Sequence, residues 1–179
     1  SFSRIIATPF FIFFMLKNTF FYKMLSVFIF FIASVSDILD GYIARKYNYV
    51  TNFGKYVDPL ADKILILSAF ILMYFYFPDS VKLWMILLIL SRDVFITIFR
   101  TLMKKKNIVM ETSQYAKAKT VFQIIIVHII LIFDAMDSQI ISPLFFEKMI
   151  YYLMILCVAF TILTAVHYIK INIKSFNVK

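Results

Sequence analysis

Six runs of apolar residues, at 5–16, 24–44, 56–77, 81–103, 120–133 and 144–169, leave this chain few folds to choose from. The first is short on its upstream side and extends through Phe20, Phe21 and Tyr22; the fifth is expected to start a turn before Thr120. Crossing the hydrocarbon core of a bilayer takes about 20 residues of helix. Inside lipid every backbone N–H and C=O must be bonded within the protein, so only helices and closed barrels can span it. Barrel strands read as alternating segments of about ten residues, whereas these runs are continuous and longer. The expected fold is therefore all-α: an integral membrane bundle of six transmembrane helices, forming one domain over residues 1–179. Composition agrees, with 63% hydrophobic residues where soluble domains hold roughly 45–50%.

The net charge of +9 raises two partners, nucleic acid and an anionic bilayer. The basic residues fall between apolar runs rather than on a polar segment, so membrane lipid is expected and nucleic acid is not. Their distribution also sets an orientation. With the N-terminus inside, the inner segments carry Arg4, Arg45, Lys46, Lys55, Lys104, Lys105, Lys106, Lys117, Lys119, Lys170, Lys174 and Lys179, and the outer ones only Lys17, Lys23, Lys82 and Lys148. The bias places both termini in the cytoplasm. Cys157 is the single cysteine, which rules out a disulfide framework. The sequence has no cleavable signal pattern and no Met at position 1, so it is expected to start inside a longer natural sequence.

Against this apolar background Asp37, Asp40, Asp58 and Asp62 fall within one short stretch that also holds the only two glycines, Gly41 and Gly54. Residues three and four apart share a helix face. Asp37, Asp40, Gly41 and Ala44 therefore line one side of the second helix, and Asp58 and Asp62 one side of the third. The topology puts both ends at the cytoplasmic face. Four converging carboxylates cannot all stay ionised without compensation, and an all-oxygen set suits Mg²⁺, Mn²⁺ or Ca²⁺. Gly41 leaves room for a ligand beside the acids, and Arg45, one turn on, is placed to hold an anion such as a phosphate.

The run Asp37-x2-Asp40-Gly41-x2-Ala44-Arg45-x8-Gly54-x3-Asp58-x3-Asp62 resembles, position for position, the signature of the CDP-alcohol phosphatidyltransferases. The resemblance implies a membrane enzyme, usually a homodimer, with two divalent cations (Mg²⁺ or Mn²⁺) in a cavity open to the cytoplasm and a bacterial inner or plasma membrane location. It implies Asp37, Asp40, Asp58 and Asp62 as metal ligands, with Asp62 also the general base. Asp37, Gly41, Ala44 and Arg45 would contact the cytidine diphosphate of CDP-diacylglycerol, and Thr51 in the loop is a further candidate.

The acceptor has to be read elsewhere. Arg92 and Arg100 on the fourth helix, with Lys117 and Lys119 opening the fifth, are expected to form a pocket for a second anion. A simple salt bridge between Arg92 and Asp93 is the alternative. The Asp58-Pro59-x2-Asp62-Lys63, Arg92-Asp93 and Lys117-Ala118-Lys119-Thr120-x2-Gln123 runs resemble the family's phosphatidylglycerophosphate synthases, which implies sn-glycerol 3-phosphate as acceptor. Asp93 stands where that group usually has Glu, and Ala116 where it usually has Gly. Rival readings are the same chemistry with inositol phosphate, serine or phosphatidylglycerol, and a divalent-cation transporter built on the four acids. His128 and His167 have no ligand-spaced partners and are expected to be packed or interfacial. Tyr22, Trp84, Tyr151 and Tyr152 are placed for an outer aromatic belt. Pro59 is expected to start or bend the third helix.

Overall fold

The computed structural model describes the backbone of residues 2–17, 19–46, 52–105, 114–136 and 142–174, and the side chains of 4–17, 19–36, 63–103, 118–136 and 142–172. Among the described residues the chain is helical throughout, with no strand. The helices are α1 (Phe2–Met15), α2 (Phe20–Lys46), α3 (Asn52–Tyr76), α4 (Leu83–Lys105), α5 (Gln114–Ala135) and α6 (Pro143–Lys174).

Their boundaries correct the sequence reading at two places. The first apolar run does not continue through Tyr22. It breaks in a turn after Met15, and α2 starts at Phe20 with the Thr19 carbonyl accepting the Lys23 N–H at 2.9 Å. Polar Lys17 and Thr19 interrupt the run, and Thr is a favoured residue for the position ahead of a helix. Pro59 does not start α3, which is already helical from Asn52. The fifth helix begins at Gln114, ahead of Thr120 as expected. At the start of α6, Ser142 and Pro143 behave as expected of a cap and a first helical residue. The Ser142 carbonyl accepts from Phe146 N–H at 3.1 Å and its hydroxyl from Phe145 N–H at 3.4 Å.

The helices alternate in direction. Tyr76, ending α3, donates its hydroxyl to the Met15 carbonyl at the end of α1, at 3.0 Å. Lys23 at the start of α2 pairs with Asp134 at the end of α5, at 2.9 Å. Phe77 meets Phe146, near the start of α6, edge to face at 5.5 Å. One end of the bundle thus gathers the ends of α1, α3 and α5 and the starts of α2 and α6. The acid-bearing ends of α2 and α3 point the other way.

α1 packs on α2 and α3, α5 on α2, α3 and α6, and α4 on α3 and α6. The core between them is built from Phe11, Phe30, Phe70, Met73, Met85, Ile130 and Met154, all buried. Small residues sit in the contacts: Ser26, Ala33, Ser34 and Ala69 are each at most 5% exposed, which lets helix backbones approach closely. The outside is as apolar as the inside. Phe21, Phe75, Tyr152 and Leu163 are each 67–70% exposed, and large apolar side chains are exposed on every helix. Monomeric soluble proteins rarely expose contiguous apolar patches above a few hundred Å², so lipid is the solvent this surface fits. The segments Ala118–Ala135 and Pro143–Asn172 are long and apolar enough to cross a membrane. The apolar parts of α1, α2 and α3 are shorter, at Arg4–Met15, Phe20–Ser36 and Lys63–Tyr76.

Candidate active site

The four aspartates belong to two helix ends joined by a short connection. Asp37, Asp40, Gly41, Ala44 and Arg45 lie in the last turns of α2, and Asp58 and Asp62 in the first turns of α3. With both segments helical, Asp37, Asp40 and Ala44 share one side of α2, and Asp58 and Asp62 one side of α3. Residues 47–51 connect the two, which holds the ends of the helices within about 20 Å. The side chains of these seven residues, and Thr51 altogether, lie outside the described residues, as does the side chain of Lys117.

Immediately after Asp62 the chain enters a cavity. Among the described residues of α3, Lys63, Ile66, Leu67 and Phe70 line its wall. α4 and α5 supply the other walls, and this partly open cavity has a volume of about 390 Å³. Its lining is divided. Ile66, Phe70, Ile86, Ile89 and Leu90 form an apolar part, and among the described residues Lys63, Arg92, Arg100 and Lys119 bring four cations to the same space as one carboxylate, Asp93.

Each cation is held by a partner from another element or from its own helix. Lys119, whose side chain is 5% exposed, sits 2.7 Å from both carboxylate oxygens of Asp93. Arg92 Nη1 donates to Asp93 Oδ1 at 3.1 Å and Nη2 to Thr164 of α6 at 3.4 Å. Its Nε is buried with no hydrogen-bond partner among the described residues. Lys63 Nζ donates to the Thr97 hydroxyl at 2.9 Å, and that hydroxyl donates to the Asp93 carbonyl at 2.7 Å. Arg100 Nε reaches the Tyr168 hydroxyl at 3.4 Å, with the guanidinium carbon 5.9 Å from the ring centre.

Charged groups within transmembrane helices are expensive and as a rule face the bundle interior, paired with one another. Among the described lining residues, four cations accompany one carboxylate, Asp93. Such a space, part apolar and part cationic, suits an anion that carries or adjoins hydrocarbon. The donor forks of Arg92 and Arg100 suit a phosphate in particular.

Arg92, Arg100 and Lys119 were expected in an anion pocket, and they line one cavity together. The Arg92–Asp93 salt bridge was posed as the alternative to that pocket, and it is present as well. Lys63, Thr97, Thr164 and Tyr168 were not singled out from sequence. Lys63 stood in the quoted Asp-Lys run, and a signal for α6 was available. Thr161, Thr164, Tyr168 and Asn172 recur on one side of an otherwise apolar helix, and all four are buried.

A sequence profile describing the CDP-alcohol phosphatidyltransferases matches residues 1–172. The chain belongs to the CDP-alcohol phosphatidyltransferase family. Relatives within it carry a more specific name, CDP-diacylglycerol–glycerol-3-phosphate 3-phosphatidyltransferase. One from Bacillus subtilis is 42% identical over 104 residues, covering 58% of this chain and 53% of its own length. One from Rickettsia felis is 36% identical over 130 residues, covering 73% and 71%. One from Wigglesworthia glossinidia brevipalpis is 33% identical over 162 residues, covering 83% and 87%. The match to the Bacillus subtilis relative spans about half of that protein.

As a member of the CDP-alcohol phosphatidyltransferase family the chain is an enzyme of that class, with a surface and two long apolar helices that fit a membrane.

Proposed function

We propose that the chain transfers a phosphatidyl group from CDP-diacylglycerol to sn-glycerol 3-phosphate, releasing CMP and forming phosphatidylglycerophosphate. The observation that carries the acceptor is the cavity beside Asp62, where Lys63, Arg92, Arg100 and Lys119 line the same space as Asp93, the one carboxylate among its described lining residues. A phosphomonoester dianion can take charge-assisted hydrogen bonds from these cations, which serine, with no phosphate, does not offer to accept. The names of the Bacillus subtilis, Rickettsia felis and Wigglesworthia relatives support the same substrate pair.

Asp37, Asp40, Asp58 and Asp62 are an all-oxygen donor set on two adjoining helix ends, and that chemistry fits Mg²⁺ or Mn²⁺. When bound, two such ions would neutralise charge on the diphosphate and on the departing CMP. The chain's own residues do the rest. Gly41 and Ala44 leave room for the cytidine diphosphate along α2; Arg45, Asp37 and Thr51 contact it. Arg92, Arg100, Lys117 and Lys119 hold the acceptor's phosphate, and we add Lys63 to that group. Asp62 takes the proton from the acceptor's free primary hydroxyl. That oxygen forms a bond to the lipid-linked phosphorus as the bond from that phosphorus to the oxygen of CMP breaks.

The proposed setting is a bacterial inner or plasma membrane, with six transmembrane helices, both termini and the site on the cytoplasmic side, and a homodimeric assembly. The acyl chains then stay in the bilayer while the head group meets a water-borne acceptor.

An acceptor panel tests the reading. Purified protein with CDP-diacylglycerol and Mg²⁺ or Mn²⁺ should release CMP with sn-glycerol 3-phosphate and not with serine or inositol phosphate. Release with another acceptor alone would move the enzyme to a different branch of the family. A chain that releases no CMP with any acceptor of the panel but carries divalent cations across vesicles would be a transporter.

A further inference from the structure

We infer that Asp93 is a positioning residue for the acceptor site, setting Lys119 and Arg92 in place for the phosphate. The inference rests on the proposed reaction and deepens it.

Lys119 has three N–H bonds to give, and it lies 2.7 Å from both oxygens of Asp93. Arg92 gives Nη1 to the same carboxylate at 3.1 Å. One acid therefore fixes cations from two helices, α5 and its own α4, while each keeps donors in reserve. Arg92 still has a buried Nε without a partner among the described residues. The backbone of Asp93 takes part too, since its carbonyl accepts from Thr97, the residue that accepts from Lys63. Three of the four cavity cations thus connect to this one residue.

Two roles for a carboxylate among cations make opposite predictions. If Asp93 only offsets charge, removing its charge leaves the cavity more positive and tightens acceptor binding. If it positions, removing it frees a long lysine side chain that has four rotatable carbons and no other described partner. Acceptor binding then weakens although the cavity has become more positive. The shared geometry, with one carboxylate touching both cations, favours positioning.

The test is steady-state CMP release by the purified full-length chain with CDP-diacylglycerol and Mg²⁺, varying sn-glycerol 3-phosphate. The wild-type chain must first use this acceptor; if it does not, the proposed function fails and not the positioning role. Asp93→Asn should raise the KM for the acceptor about tenfold or more, with the KM for CDP-diacylglycerol little changed. Asp93→Glu should recover most of the loss, because the charge and both contacts can be rebuilt one methylene further out. A lower acceptor KM in Asp93→Asn, or no recovery in Asp93→Glu, would overturn the inference.

Should Asp93→Asn not fold, the double variant Asp93→Asn/Lys119→Met removes both charges, and such a paired removal is often neutral for stability. Its acceptor KM should lie above that of Lys119→Met alone, because Arg92 has also lost the carboxylate that holds it. An equal or lower acceptor KM in the double variant would overturn the positioning role.

Discussion

Replacing Arg92 with Met separates acceptor binding from folding, because the structure supplies substitutes for everything Arg92 touches. Asp93 keeps Lys119 at 2.7 Å on both oxygens, so no carboxylate is orphaned. Thr164 keeps its own bond, donating to the Thr161 carbonyl at 2.9 Å. Met fills much of the space of the aliphatic stem. Stability should therefore change little, even though the side chain is only 11% exposed. The acceptor loses one charge-assisted hydrogen bond, worth about 1.5–3 kcal/mol. The Coulomb attraction of unit charges at about 4 Å and an effective dielectric near 20 is about 4 kcal/mol, which sets an upper bound. Taking about 2 kcal/mol, the KM for sn-glycerol 3-phosphate should rise about 30-fold at 1.4 kcal/mol per tenfold. CMP release measured while each substrate is varied in turn gives the two KM values, and a thermal unfolding scan gives the control. Equal rises in both KM values, or a large loss of thermal stability with an unchanged acceptor KM, would refute the assignment of Arg92 to the acceptor.

Other expectations follow from the two ends of the bundle. Asp62→Asn should unfold at the same temperature as the parent and release no CMP; normal turnover would remove Asp62 as the base. Chelation of divalent cations should stop the reaction, and added Mg²⁺ or Mn²⁺ should restore it, whereas turnover in excess chelator would dismiss the metal. Lys23→Met should lower the unfolding temperature by leaving Asp134 without its cation, a loss of up to about 3 kcal/mol, and leave both KM values alone. Adding Asp134→Asn to that variant should recover the stability; failure to do so would mean the pair contributes packing rather than charge.

The hydropathy of the chain made the helices legible and left their ends less so. Apolar runs report where a helix can be buried in lipid, but α5 begins at Gln114 with polar residues that no hydropathy pattern demands. The break between α1 and α2 was hidden because apolar Phe20 and Phe21 follow the polar turn closely enough to look continuous with Leu16. In the cavity, Arg92 stood out as a charge inside an apolar run. Lys63 did not, since it reads as the tail of an acidic motif until α3 carries it to Thr97. Tyr168 was invisible for a different reason. A tyrosine in an apolar helix resembles packing material, and only the arrival of Arg100 from α4 gives its hydroxyl and ring a charge to hold.

The length of α6 has a consequence for how the enzyme would sense its surroundings. Its 32 residues make a rod of about 48 Å at 1.5 Å per residue, against about 30 Å of hydrocarbon. Measured from the Pro143 end, Tyr168 lies about 38 Å along, so in the proposed membrane setting, with Pro143 at one edge of the hydrocarbon, the Arg100–Tyr168 contact would lie near the head groups of the opposite leaflet. A thicker bilayer would draw that contact down among acyl chains, and a thinner one would lift it into water. Acyl-chain length in the host membrane would thus tune how easily a soluble acceptor enters, with no change in any residue of the site.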